Sequence, residues 1–72
     1  MNETQIAFKS KDDVDEFIQF AKEETGISLT SKKDNKLQSH KFIINIKDKD
    51  LENIYGDNWD SALKGDFDVI LP

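Results

Sequence analysis

Cysteine and arginine are absent from this chain of 72 residues, histidine occurs once and glycine three times. Without cysteine there is no disulfide framework and no thiolate metal site. The lone His40 removes the His-rich clusters on which most zinc and iron chemistry depends. Without arginine all ten basic residues are lysines, so the planar fork that grips phosphates, carboxylates and guanine edges is missing. Long apolar runs are missing too. The longest are three residues, as in Phe42-Ile43-Ile44, far short of the roughly 20 residues that cross a bilayer. There is no glycine-rich phosphate loop, no internal repeat, no low-complexity tract and no linker, which leaves residues 1–72 as one domain.

What the chain has is charge, unevenly spread. Residues 1–26 carry seven acids and three lysines, residues 27–47 one acid and five lysines, and residues 48–72 seven acids and two lysines; the formal net charge is −5. A net acidic surface opposes direct binding of nucleic acid, which gains affinity by neutralising phosphates with clustered cations. A chain this short buries only about 60% of the surface its unfolded form exposes, which argues against a large enclosed active site. The first residues, Met1-Asn2-Glu3-Thr4, lack the basic start and apolar stretch of a secretion signal, so a cytoplasmic location is expected.

The pattern of apolar residues predicts the elements. Residues 5–9 put Ile6 and Phe8 on one face of a strand. Ser10 followed by Asp13 resembles a capping box and opens a helix over residues 12–25. Its Val14, Phe17, Ile18 and Ala21 form one stripe, and Gly26 stops it. Residues 27–31 alternate as a second strand, residues 32–36 supply turn residues in which Asp34 and Asn35 tolerate a tight reversal, and residues 37–47 read as a longer, central strand. On that strand Phe42, Ile44 and Ile46 share a face and Ile43 takes the other. Asp48 is placed to cap a helical segment carrying Leu51, Ile54 and Tyr55, which Gly56 interrupts. Asp57 or Asn58 then caps a short helix with Trp59, Ala62 and Leu63, closed by Gly65. Phe67, Val69 and Leu71 alternate as a last strand. The expected fold is α+β: a small two-layer open sandwich in the order β-α-β-β-α-β, the last helix being a broken pair, with the helices on one face of a mainly antiparallel sheet.

No set of residues reads as an active site. Asp57 and Asp60 could be a carboxylate pair, but acid–base work needs a shielded cleft that shifts a pKa. Asp48-Lys49-Asp50-Leu51-Glu52 begins like a calcium loop yet lacks the glycine at its sixth position and the glutamate at its twelfth. His40, in Gln38-Ser39-His40-Lys41, has no acid partner in the sequence and reads as a hydrogen-bonded or surface strand histidine. Lys32, Lys33 and Lys36 at a hairpin tip read as charges that prevent edge pairing. The expectation is a protein that is not an enzyme and that binds no metal and no cofactor.

The stretch Tyr55-Gly56-Asp57-Asn58-Trp59-Asp60 joins a chain reversal, two aromatics and an acid–amide cluster in six residues, the composition of an interface centre and its rim. Followed by Ala62 and Leu63, it resembles the segment with which barstar-like ribonuclease inhibitors enter the helix that plugs their enzyme's active site. The match covers about an eighth of the chain. The resemblance implies contact roles for Asn58 and Asp60 and a sharp turn at Gly56. The chain departs from the family at Lys64, where the family presents an acid, and in having a hairpin ahead of the motif where the family has a helix leading directly into it.

These readings converge on a small acidic inhibitor of the immunity, antitoxin or phage counter-defence (anti-CRISPR) type. It would block a basic nuclease or other nucleic-acid-binding protein by phosphate mimicry, through Tyr55, Asp57, Asn58, Trp59, Asp60, Asp66 and Asp68, with no direct contact to nucleic acid or membrane. The alternative is a non-catalytic regulatory or scaffold domain with a fold like the sugar-transport phosphocarriers, which the element order suits. That family's phosphorylated histidine lies at the first strand-to-helix junction, where this chain has Ser10-Lys11-Asp12.

Overall fold

A strand whose alternate residues are apolar must cover one face, and here two such strands cover theirs together. The computed structural model, which describes residues 2–36 and 38–72, pairs β1 (Glu3–Phe8) with β3 (Phe42–Lys47) antiparallel, setting Thr4 opposite Ile46, Ile6 opposite Ile44 and Phe8 opposite Phe42. Those six side chains share one face. Onto it pack α1 (Lys11–Thr25), α2 (Asp48–Tyr55) and α3 (Trp59–Asp66), contributing Val14, Phe17, Leu51 and Leu63 to one buried cluster with Ile6, Phe8, Ile44 and Ile46. Burying each of these side chains stabilises the fold by about 1.5–3 kcal/mol. The edge strands β2 (Lys32–Lys33) and β4 (Val69–Ile70) complete an antiparallel sheet in the order β2-β3-β1-β4. The architecture is the expected α+β sandwich, with all helices on one face.

The far face carries a row of paired residues, Lys32, Ile43, Ala7 and Ile70. Ala7 and Ile43 are nonetheless only 5% and 7% exposed, while Ile70 at the edge is 43% exposed. The two buried ones share a hollow with Asp34, Lys36 and the C-terminal Leu71 and Pro72, so loop and tail give this side a small cover of its own.

The first helix forms as its sequence dictates. Ser10 Oγ accepts from the Asp13 N–H at 3.1 Å, Val14, Phe17 and Ala21 are fully buried, and Gly26 at φ 79° ends the helix by donating its N–H to the Lys22 carbonyl. The later elements differ from expectation in instructive ways. Residues 27–31 are not a strand; Ile27 and Leu29 pack against the core while Ser28 and Thr30 face water. Alternation there reflects one-sided burial of an extended segment. The ladder partner of β3 comes later, at Lys32 and Lys33, two of the expected turn residues.

The reversal is correspondingly wider. Asp34 donates its N–H to the Lys41 carbonyl at 2.7 Å, and its carboxylate accepts from the Lys36 N–H at 2.9 Å, an Asx turn. No described residue other than glycine has positive φ, so the loop length at Asp34-Asn35 takes the place of a tight turn. The expected strand over residues 37–47 starts at Leu37, which lies outside the described residues, and the ladder runs from Phe42.

Helix α2 begins one residue earlier than a capping Asp48 would allow. Lys47 is the N-cap and makes no side-chain cap, because the Asp48 carboxylate accepts the Thr4 hydroxyl instead, and its N–H continues the β1–β3 ladder to the Asn2 carbonyl. Gly65 does not close α3. The helix runs through it to Asp66, with extended Phe67 as its C-cap, since a glycine in αR conformation next to open space is tolerated. The last strand is shorter than residues 67–71, only Val69 and Ile70 finding partners on β1.

Gly56 does break the helix pair, at φ 88° and ψ −165°, a region open essentially to glycine alone. A Cβ there would meet nothing within 4 Å, so any cost of adding one lies in the backbone. Gly56→Ala is expected to lower unfolding free energy by about 1–3 kcal/mol, whereas Gly65→Ala, also in open space, should leave it unchanged or raise it by up to about 1 kcal/mol. Urea denaturation of the two variants checks both signs.

Candidate functional site

The corner between α2 and α3 follows from two anchors and one glycine. Leu51 and Leu63 are fully buried, fixing one face of each helix. Gly56 donates its N–H to the Glu52 carbonyl at 2.6 Å and turns the chain outward. Asp57 and Asn58 are therefore exposed in the turn. Asn58 is the N-cap of α3, without a side-chain cap, and its carbonyl accepts from the Ala62 N–H at 3.1 Å. Since Trp59, Ala62 and Leu63 lie three and four residues apart, they turn inward together, and Asp60 and Ser61 face water. The Asp60 carboxylate accepts from the N–H of Ser61 at 2.8 Å. No ion pair engages Asp57 or Asp60 among the described residues.

The two aromatics of the motif are braces as much as surface. Trp59 is half-buried against the core. Tyr55 is half-buried and meets the Phe20 ring of α1 in a tilted contact, centroids 5.6 Å apart and planes at 48°. Its hydroxyl is buried beside the Asp66 carboxylate, which stands near it but outside strict hydrogen-bonding geometry. Burial first, and the nearby charge of Asp66 second, push the phenol well above its ordinary value of 10.0, so it stays protonated at any physiological pH.

The seven expected site residues do not gather into one patch. Asp57, Asn58 and Asp60 share the corner. Asp66 sits at the other end of α3, beside Tyr55. Asp68 belongs to a different neighbourhood: it accepts from His40 Nε2 at 3.0 Å and lies 3.8 Å from the Lys9 ammonium. The His40 hydrogen bond is the main reason that the Asp68 carboxyl titrates below its ordinary value. His40 Nδ1 in turn meets Ser39 Oγ at 2.8 Å. With Nε2–H donating to Asp68, the serine hydroxyl donates to Nδ1. Ser39 is exposed. The network fastens the loop after β2 to the start of β4.

Two hollows were not expected from the sequence. Glu16 and Phe20 of α1 line a hollow of about 260 Å³ with Asp66 and Phe67; the signal for it was Phe20, an aromatic off the core stripe and four residues from an acid. A second hollow, about 550 Å³, lies at the start of α2, where Asp48, Asp50 and Glu52 sit among Lys47 and Lys49. Among the described residues no group of three His, Cys, Asp or Glu is arranged to hold a metal ion, and no helix is long and apolar enough to cross a membrane.

Tyr55→Phe removes a buried hydroxyl without an acceptor in strict geometry, a group that costs about 1–3 kcal/mol when left unsatisfied. Stability in urea should stay level or rise, and a loss above about 1 kcal/mol would show the hydroxyl to be bonded. For Asp68 the sign follows from a carboxyl pKa lowered by folding: its contribution is full above the ordinary value of 3.8 and disappears as pH falls through the lower folded value. Thermal melting across that window should fall less steeply for Asp68→Asn than for the unaltered chain. Comparison of the chain with protein-family models, with curated proteins and with solved structures gives no match.

Proposed function

We propose that this chain is a small acidic inhibitor that occupies the nucleic-acid site of a basic enzyme by imitating phosphates. The observation that carries the reading is the separation of charge between layers. The three helices hold eleven carboxylates and four lysines, a net of −7, whereas strands and connections hold four carboxylates and six lysines, a net of +2. Acids three or four residues apart on a helix stand about 5–6 Å apart at Cβ, so the helical layer presents rows of negative charge on a rigid support. Opposite charge steers such a surface to a basic cleft quickly and makes the encounter sensitive to salt.

At the edge of that layer the α2–α3 corner is the leading contact. Asp57, Asn58 and Asp60 stand on a turn whose two flanking helices are anchored by Leu51 and Leu63, so they meet a partner with little ordering cost. This is also the segment that resembles the barstar-like inhibitors, with Gly56 in the turning role. Lys64 replaces the acid of that family, so the acid contact here falls to Asp60 and its neighbours. Action in the cytoplasm, in an immunity, antitoxin or counter-defence setting, belongs to the same reading.

The test begins with capture of partners from native cytoplasm, and from cells expressing defence nucleases, at low and high salt, followed by titration calorimetry on a purified nuclease. Asp60→Lys should weaken binding at least about tenfold, or 1.4 kcal/mol. Glu3→Lys, on the far face of the sheet, should change it much less. Equal effects of the two, or recovery indifferent to salt, would remove the defined acidic contact.

A further inference from the structure

The hollow between α1 and the end of α3 has a construction different from the rest of the acidic surface. Its floor is aromatic and held in place. Phe67 stands edge-on to Phe8 at 5.7 Å and to Phe17 at 5.9 Å, with interplanar angles of 74° and 88°, so its orientation is set by two fully buried rings. Phe20 is backed by the Tyr55 ring. Its rim is formed by Glu16, one helical turn from Phe20, and by Asp66, next to Phe67. Both carboxylates are exposed and neither makes an ion pair among the described residues. Behind Asp66 stands the buried Tyr55 hydroxyl, with Asp66 the carboxylate beside it.

Each of these features narrows the occupant. At about 260 Å³ the hollow is smaller than the roughly 300–1,000 Å³ of small-molecule sites, and so matches one side chain. Two carboxylates repel an anion, and an apolar side chain would leave them facing it without compensation. An ammonium satisfies the charge but presents no flat face to the rings. A guanidinium does both: its plane lies against an aromatic ring while its N–H groups, in that plane, reach carboxylates at the edge. Because Phe67 and Phe20 are already held, little side-chain entropy is lost on binding.

We infer that this hollow, lined by Glu16, Phe20, Asp66 and Phe67, seats one arginine side chain of a basic protein partner. The inference rests on the inhibitor reading for the partner's identity, and on the hollow alone for the chemistry. It adds a second contact, separate from Asp57 and Asp60, at the opposite end of α3 from the corner.

The experiment titrates the isotope-labelled full chain with the blocked peptide Gly-Arg-Gly and with its lysine and citrulline counterparts, following amide resonances by NMR. Saturable shifts centred on Glu16, Phe20, Asp66 and Phe67 are expected for the arginine peptide, with a Kd on the order of 1 mM. The lysine peptide should bind several-fold more weakly, and citrulline, uncharged, should not bind. Phe20→Ala should weaken the arginine peptide about tenfold. The double variant E16Q and D66N, altering only exposed groups, should do the same with its melting temperature kept. Shifts spread evenly over all acids, shifts centred on Asp57 and Asp60, equal binding of arginine and lysine, or no shifts would overturn the seat. A nuclease whose binding responds to Asp60→Lys but not to Phe20→Ala would leave the inhibitor reading standing and remove this one. Arginine seating without inhibition of any basic nuclease would do the reverse.

Discussion

Everything in this molecule hangs on the register between β1 and β3. Because side chains alternate across a strand, a slip of β1 by one residue against β3 would send Ile6 and Phe8 to the far face and bring Gln5 and Ala7 under the helices. In the observed register Phe8, the last residue of β1, lies opposite Phe42, the first of β3. Helices α1 and α2 therefore leave from opposite ends of the pair and return across the same face. The Thr4 hydroxyl on the Asp48 carboxylate and the Asp48 N–H on the Asn2 carbonyl fasten one of those ends. That polar junction starts α2 without any side-chain cap.

The second constraint is aromatic. Phe8 comes from the sheet, Phe17 from α1 and Phe67 from the exit of α3, and the three rings meet within 6 Å of one another. Offset and edge-on pairs of this sort add about 0.5–1.5 kcal/mol each beyond their buried area. In a domain with so few buried residues that contribution is large, and it also decides where α3 ends relative to α1. The hollow beside Phe20 and Phe67 is a consequence of that placement: the ring that closes the core on one side leaves a face open on the other.

Much of this was legible in the chain because the information was local. Ser10, the stripe through Val14, Phe17 and Ala21, and Gly26 specify α1 within sixteen residues of each other, and Gly56 announces the break between α2 and α3. What was not legible depends on partners far apart in sequence. Alternation at residues 27–31 reports which side is buried and cannot say whether a neighbour offers hydrogen bonds, and so the strand falls at Lys32 and Lys33 instead. The acid that meets His40 is 28 residues away, and the one that meets Thr4 is 44 away, distances over which no spacing rule operates. The same holds for the candidate surface. The Asp57–Asp60 corner follows from a glycine and an amphipathic pattern, but the grouping of Glu16 and Phe20 with Asp66 and Phe67 needs the crossing of two helices. The separation of Asp68 from the other acids needs the sheet.

The acidic helices are only partly arranged for their own stability: acids in the first turn of each, and Lys22 and Lys64 in the last turns of α1 and α3, suit the helix dipole, but like charges also meet. On α1, Asp12 and Glu16 stand four residues apart, as do Asp48 and Glu52 on α2, and each like-charge pair costs a few tenths of a kcal/mol; Lys11 and Asp15, 2.7 Å apart, offset only part of that, being exposed and screened. Glu23 and Glu24 sit at the negative end of the α1 dipole. Helices α2 and α3 start without side-chain caps. The apolar cluster beneath supports a layer that, charge by charge, repels itself. A cationic surface brought against that layer relieves the repulsion at the moment of contact, and the relief adds to the attraction between the partners. A helix with the same apolar face and mixed charges outside would fold at least as well, so the apolar core does not dictate the negative charge of this layer.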